Sequence, residues 1–380
     1  MFLIAVHIIL GEKIMLRIIE FFAGIGAYHQ ALKEINIPHE VVGISEIDEN
    51  AIKAYQILHG RTNVLGDIRR VRRTPDAEMW CYSFPCTDIS IAGQMKGMDR
   101  ESKTQSSLLW EIERLLHAAE YKPRYLIMEN VPTLVGKRYL EHFKIWLSIL
   151  EEMGYKNYYD VLNAKDYGVA QNRKRLFLVS IMGNEKYVFP KKLPLTKKLS
   201  EYLDDQVDEK YFVSPKMFRY YTDTKNRNGF VRATRFRPHD KDSNYAWTIT
   251  TRTGSTPTDN FVIVPEATKK GSTTAQVGDG IYINRPHQKR GVVQKESIPT
   301  LKTSVSDLGV VVHKDELISI RKITPKESWR LMGWSDYDFM RVDGKISETA
   351  LYRLAGNSVV VTVLKEMFKT LFVGEINAKE

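Results

Sequence analysis

Two cysteines occur in the 380 residues, Cys81 and Cys86, and they sit in different surroundings. Cys81 lies within an apolar run and reads as a small core residue. Cys86 closes Ser83-Phe84-Pro85-Cys86, where that run passes into a loop containing Gly93 and Gly97. A thiol at the carboxyl edge of a sheet stands where α/β proteins bind ligands, and it can act as a nucleophile. Two further motifs bring groups that a nucleophile uses. Glu129-Asn130-Val131 ends a second apolar run with a carboxylate, and Gln171-Asn172-Arg173-Lys174-Arg175 opens a third with two guanidinium groups. The acid shares the cysteine's sheet edge and the guanidinium groups come near another strand, so a cysteine, an acid and an arginine read as convergent. Taken alone, each has an ordinary reading as a loop cysteine or a surface charge, Arg173 more readily than Arg175.

Phe22-Ala23-Gly24-Ile25-Gly26 follows a strand and opens a helix, so its glycines let backbone amides approach a ligand at the helix N-terminus. A dinucleotide fingerprint needs a third glycine where His29 stands, which counts against a nicotinamide oxidoreductase. About twenty residues on, Glu46 ends the next strand, where a carboxylate accepts hydrogen bonds from ribose hydroxyls. Asp67, in Gly66-Asp67-Ile68 after a third strand, is placed to accept from an adenine amino group. Their order and spacing point to an adenosine-containing cofactor.

These residues need a scaffold, and residues 16 to 182 supply its pattern: short apolar runs alternating with helical periodicity, as in a parallel sheet covered by helices. The clearest strands are expected over 16–22, 40–45, 79–84, 125–128 and 175–181, and helices over 27–35, 107–119 and 140–153. From about Gly183 the pattern turns to short β-rich pieces split by Pro, Gly and Asn. Two stretches there are weakly alike, 246–251 and 298–303, too few for a repeat protein. Helices return after Thr324, where Thr-Pro-Lys-Glu offers an N-cap, a proline at the first helical position and a capping-box glutamate.

With 43% hydrophobic residues the chain can bury a core of two domains, or of one large and one small. The apolar run from Met1 to Leu10 is too short to cross a bilayer and lacks the features of a secretory signal, and Met15 reads as an alternative start. Two cysteines are too few for a disulfide framework or a structural zinc site, so a reducing, cytoplasmic setting without metal is expected. The net charge of +10 is concentrated. Residues 210 to 314 hold 18 Lys plus Arg against 8 Asp plus Glu, interleaved with Tyr220, Tyr221, Phe230, Phe236, Tyr245 and Trp247. A localised basic and aromatic segment suits a surface that neutralises phosphates and stacks on bases.

The motifs in this order resemble the block series of DNA (cytosine-5) methyltransferases of bacterial or phage type. The resemblance resumes near the C-terminus, where the stretch from Arg321 to Gly333 is similar to the family's penultimate block and Gly356-Asn357-Ser358-Val359 to its final one. Glu20, Ala27, Thr87 and Gln105 depart from the family's usual residues without touching the chemistry. The resemblance implies a Rossmann-like α/β class I methyltransferase sheet with a smaller, irregular β-rich target-recognition domain. It divides the chain into an extension at 1–14, a catalytic domain at 15–182, a target-recognition domain at 183–313, and helices at 314–380 that complete the catalytic domain. Cys86, Glu129, Arg173 and Arg175 are its expected catalytic residues. S-adenosyl-L-methionine is the expected cofactor, held by Phe22, Ala23, Gly24, Ile25, Gly26, Glu46, Ile47, Asp67, Ile68, Phe84, Pro85, Leu108, Asn357 and Val359. The expected partner is double-stranded DNA, with a target cytosine flipped under a lid formed by 86–105, and no membrane. A monomer is expected, within a restriction-modification system that supplies a cognate endonuclease. The alternatives are a tRNA cytosine-5 methyltransferase and a catalytically silent DNA-binding paralogue.

Overall fold

The computed structural model describes residues 15–86, 88–89, 104–212, 261–265, 272–282, 292–301, 308–314 and 317–373. The expected extension at 1–14, the loop glycines Gly93 and Gly97, and the aromatic residues between Tyr220 and Trp247 lie outside the described residues, as do the stretch 246–251 and Thr87.

The first half contributes strands β1 Leu16–Phe21, β2 His39–Ser45, β3 Met79–Tyr82, β4 Tyr125–Asn130, β5 Tyr155–Asn163, β6 Gln171–Asn172 and β7 Lys174–Met182. Its helices are α1 Ala27–Glu34, α2 Glu49–His59, α3 Leu109–Ala118 and α4 Leu140–Glu152. Six strands form one sheet in the order β2-β1-β3-β4-β7-β5. The first four are parallel. β7 runs antiparallel to both β4 and β5, so the all-parallel sheet expected from the sequence is corrected to a mixed one.

Side chains on successive strand residues point to opposite faces, and here both faces are covered. Ile18, Met79, Cys81, Tyr125 and Ile127 enter one apolar layer. Ile19, Trp80, Tyr82, Leu126 and Met128 enter the other, which α3 and α4 complete with Leu109, Ile112, Leu115, Phe143, Trp146 and Leu150. Double coverage explains why β1, β3 and β4 appear in the sequence as continuous apolar runs. β5 is the sheet edge, and its pattern of exposed central residues hides it from such a reading. α2 also escaped it, since its buried face is small, built on Ala51, Ala54, Tyr55 and Leu58. The strand expected before Asp67 is only an isolated parallel bridge between Val64 and Ile44.

The second half adds β8 Phe261–Pro265, β9 Ser272–Gln276, β10 Gly280–Tyr282, β11 Val293–Gln294, β12 Ile298–Pro299, β13 Leu308–Lys314 and β14 Leu317–Arg321. β11-β10-β13-β14 form an antiparallel sheet, and β8 pairs with β9. Because β14 pairs with β13, the smaller sheet continues past the boundary expected at 313, to Arg321. The C-terminal helices are α5 Pro325–Arg330, α6 Asp336–Val342, α7 Glu348–Asn357 and α8 Val361–Phe368. The capping box at α5 forms as expected: Thr324 accepts from the Glu327 amide, and Glu327 accepts from the Thr324 amide. α8 returns to the first half, placing Val363, Leu364 and Met367 in the first apolar layer, and its Lys365 meets Glu34 of α1 at 2.7 Å. Among the described residues no helix is long and apolar enough to cross a membrane.

Candidate active site

The carboxyl ends of four parallel strands meet at one sheet edge, so the segments after β1, β2 and β3 and the end of β4 are neighbours. Antiparallel β7 brings its beginning, Arg175, to that same edge. They surround a cavity of about 350 Å³.

At the cofactor end, the chain turns after β1 with positive φ at Phe22, Gly24 and Gly26. Gly24 has open space where a Cβ would stand, on the cavity wall. Gly26 instead carries the α1 N-cap against Tyr55 and His59, where a Cβ would lie 2.6 Å from each. Buried Glu20 supports this turn, accepting from the His29 amide in the first turn of α1 and from the Tyr55 hydroxyl at 2.6 Å. Burial pushes its carboxyl up to about 7. Glu46 receives three backbone amides, from Gly24, Ile47 and Asp48, at 2.8–2.9 Å. A carboxylate has about four acceptor positions, so one stays open to a further donor. Ile47, 65% exposed, is an apolar side chain at the rim. Asp67 is not the free acceptor the sequence suggested. Arg69 bonds both its oxygens, the closer contact being 2.6 Å, and holds its carboxyl below the usual range.

At the chemical end, the segment carrying Cys86 is fixed from several directions. The Asn130 amide donates to the Phe84 carbonyl at 3.0 Å and the Ser106 hydroxyl to the Pro85 carbonyl at 2.8 Å. Asp88 accepts from the amides of Gln105 and Ser106, tying together the residues that flank 90–103. Arg175 Nε lies 3.0 Å from Glu129 Oε1, both side chains largely shielded from solvent. Burial pushes the Cys86 thiol above its ordinary value; Arg175 pulls it down, and Glu129 pushes it up. A thiol of that kind is almost wholly protonated at neutral pH. We therefore expect kcat/KM to rise with pH, approaching tenfold per unit between about 7 and 9. A pH profile that levels off by pH 7 would show a thiol already ionised.

Of the expected residues, Phe22, Ala23, Gly24, Glu46, Ile47, Asp67, Ile68, Phe84, Pro85, Cys86, Leu108, Glu129, Arg173, Arg175, Asn357 and Val359 line this one cavity. Ile25 does not: it is 1% exposed and belongs to the apolar layer beneath, and Gly26 serves the helix cap. Arg173 borders the cavity, but its guanidinium donates to the carbonyls of Leu301, Gly356 and Ser358. Its reading as a surface charge is corrected by 3% exposure. Sequence reasoning missed Asp88, Ser106 and Asn130 as supports of the cysteine segment. It also missed Tyr28 and Ser83, which bond each other at 2.8 Å on the cavity wall. An acid two residues beyond a candidate nucleophile was the available signal for Asp88.

A six-stranded sheet with one inserted antiparallel strand, bearing a glycine turn after β1, a carboxylate after β2 and a cysteine after β3, defines a Rossmann-like class I methyltransferase fold. Solved structures share it. That of S. pombe Dnmt2 methyltransferase superposes with a TM-score of 0.63 at 17% identity, covering 95% of this chain and 99% of that one. Entamoeba histolytica methyltransferase EhMeth gives 0.61 at 18%, with 95% and 99% covered. The family model for C-5 cytosine-specific DNA methylase matches residues 16–373, and the chain belongs to that family of enzymes. Type II methyltransferase M2.ScrFI of Lactococcus lactis subsp. cremoris is 31% identical over 94% of this chain and 99% of its own length. Type II methyltransferase M.Bsp6I of Bacillus sp. (strain RFL6) is 30% identical over 94% and 99%. Orphan methyltransferase M.SPBetaI of Bacillus phage SPbeta is 27% identical over 95% and 98%.

Proposed function

We propose that this enzyme methylates carbon 5 of a cytosine flipped out of a specific duplex DNA site, using S-adenosyl-L-methionine, through a covalent bond from Cys86 to carbon 6. The observation that carries the reading is the Glu129–Arg175 pair, held at 3.0 Å on the wall of the cavity that also exposes Cys86. Glu46 would hold the cofactor's ribose, with Ile47 against its adenine and the Gly24 segment beside its amino acid portion. Asp67 would accept from the adenine amino group once Arg69 yields. The cofactor supplies an electrophilic sulfonium methyl group.

Carbon 5 of cytosine is a weak nucleophile, and attack at carbon 6 overcomes this. Cys86 gives up its proton to solvent water, and its thiolate bonds to carbon 6. The displaced electron pair makes carbon 5 nucleophilic and raises the charge on ring nitrogen 3 and the carbonyl oxygen. Glu129 shares a proton with nitrogen 3, and Arg175 holds the carbonyl oxygen. After carbon 5 takes the methyl group, it loses its proton to water, the carbon–sulfur bond breaks, and Cys86 leaves as thiolate. A stacked base hides carbon 6, so the nucleotide is extruded at a cost of about a few kcal/mol.

The catalytic part spans 15–182 and the C-terminal helices, while the basic segment within 183–313 reads the DNA. One flipped base per chain suits a cytoplasmic monomer in a restriction-modification setting beside a cognate endonuclease, as the type II relatives' names suggest. Bisulfite sequencing of unmethylated phage DNA incubated with enzyme and cofactor tests the reading, with bulk tRNA as a parallel substrate. The expected product is 5-methylcytosine at one short duplex motif. Methylation of tRNA alone would overturn the assignment.

A further inference from the structure

Arg173 and Gln171 are buried polar side chains, 3% and 0% exposed, with no carboxylate among their hydrogen-bond partners in the described residues. Placing a guanidinium in the interior against carbonyls alone is costly, so its geometry should matter. That geometry joins two segments remote in sequence. On one side, β6 pairs in parallel with β12, and the Thr300 hydroxyl donates to the Asn172 carbonyl at 2.8 Å. The Leu301 amide donates to Gln171 Oε1 at 3.0 Å, and Arg173 Nη1 donates to the Leu301 carbonyl at 2.8 Å. On the other side, Arg173 Nη2 donates to the carbonyls of Gly356 and Ser358 at 3.1 and 2.9 Å, and Gln171 Nε2 to that of Leu331 at 2.6 Å. Gly356 to Val359 form part of the cavity wall.

One rigid, five-donor fork thus touches both the segment that leads into the smaller sheet and the segment that closes the cofactor pocket. Neither end can shift without straining the hydrogen bonds of the other, the physical requirement for coupling two sites. We propose that Arg173, with Gln171, is a positioning residue that couples DNA engagement by the basic segment, transmitted through Thr300-Leu301, to cofactor affinity at Gly356 to Val359. The inference rests on the cofactor and duplex reading above. Burial draws the Arg173 guanidinium down to about 9, which leaves it charged at neutral pH and able to donate at both ends.

The test measures the Kd of S-adenosylhomocysteine by titration calorimetry, with and without a long unmethylated phage duplex. It compares the wild type with Arg173→Lys, which keeps the charge but loses the fork, and Thr300→Val, which removes one hydroxyl from a residue that does not line the cavity. In the wild type the duplex should tighten the Kd by about fivefold or more. In both variants the gain should fall below about twofold. Arg173→Lys should also weaken binding without DNA, and Thr300→Val should not. Because Thr300→Val perturbs only the rim of the clamp, it decides the matter even if Arg173→Lys fails to fold. Wild-type coupling retained in Thr300→Val, or no coupling in a wild type that methylates duplex DNA, overturns the proposal. A wild type that methylates no duplex overturns the underlying reading and the proposal with it.

Discussion

Cys86→Ala should fold normally yet transfer methyl groups more slowly by a factor on the order of 10⁵ or more, since removing a covalent nucleophile leaves only binding and electrostatic assistance. Cys86 is half-buried at the edge of the second apolar layer, so trimming its sulfur should cost roughly 1 kcal/mol or less. The contrast is Cys81→Ala. Cys81 is fully buried in the first layer, with its thiol pushed well up by desolvation. Its loss should lower stability while leaving turnover within a fewfold of wild type. Single-turnover rates with radiolabelled cofactor, alongside urea unfolding, separate the two effects. Cys86→Ala retaining even a hundredth of wild-type turnover would exclude a covalent route.

The second large effect is expected at Glu129. Glu129→Gln keeps the shape but cannot share a proton with ring nitrogen 3, and should slow the chemical step by about 10²–10⁴. It also leaves Arg175, paired with that carboxylate at 3.0 Å, without its counter-charge. Glu129→Asp distinguishes these roles, because it preserves the charge and withdraws the carboxyl by one methylene. If proton sharing dominates, both variants are slow at saturating DNA with little change in KM. A loss in Glu129→Gln smaller than about tenfold would mean the carboxylate serves chiefly to orient Arg175.

The place of the candidate site was legible in the sequence because its residues sit at strand ends. β1, β3 and β4 are buried on both faces, so their apolar runs mark where the sheet edge falls and hence which side chains emerge there. Cys86 and Glu129 could be placed together from that alone, whereas Arg175, at the start of β7, reaches the same edge only because β7 runs antiparallel to β4. The direction of β7 was not legible, since an apolar strand looks alike in either sense. What Arg173 does was also hidden, because its partners return 128 to 185 residues later in the chain. The ion pair of Asp67 was hidden for the opposite reason: its partner Arg69 is only two residues away, and a local ion pair leaves no mark in motif order. The sequence motif at Phe22 to Gly26 mixes two jobs that only coordinates separate, a ligand wall at Gly24 and a packing contact at Gly26.

The central claim is the bond between Cys86 and carbon 6. Duplex DNA in which 5-fluorocytosine replaces cytosine tests it directly: fluorine at carbon 5 cannot leave as a proton does, so elimination stalls with the protein attached. With the wild type and S-adenosyl-L-methionine, a species stable in denaturing gels should form, and peptide mass spectrometry should map the adduct to Cys86. No such species with an enzyme that methylates ordinary cytosine in the same sites, or an adduct on any other residue, would contradict the account.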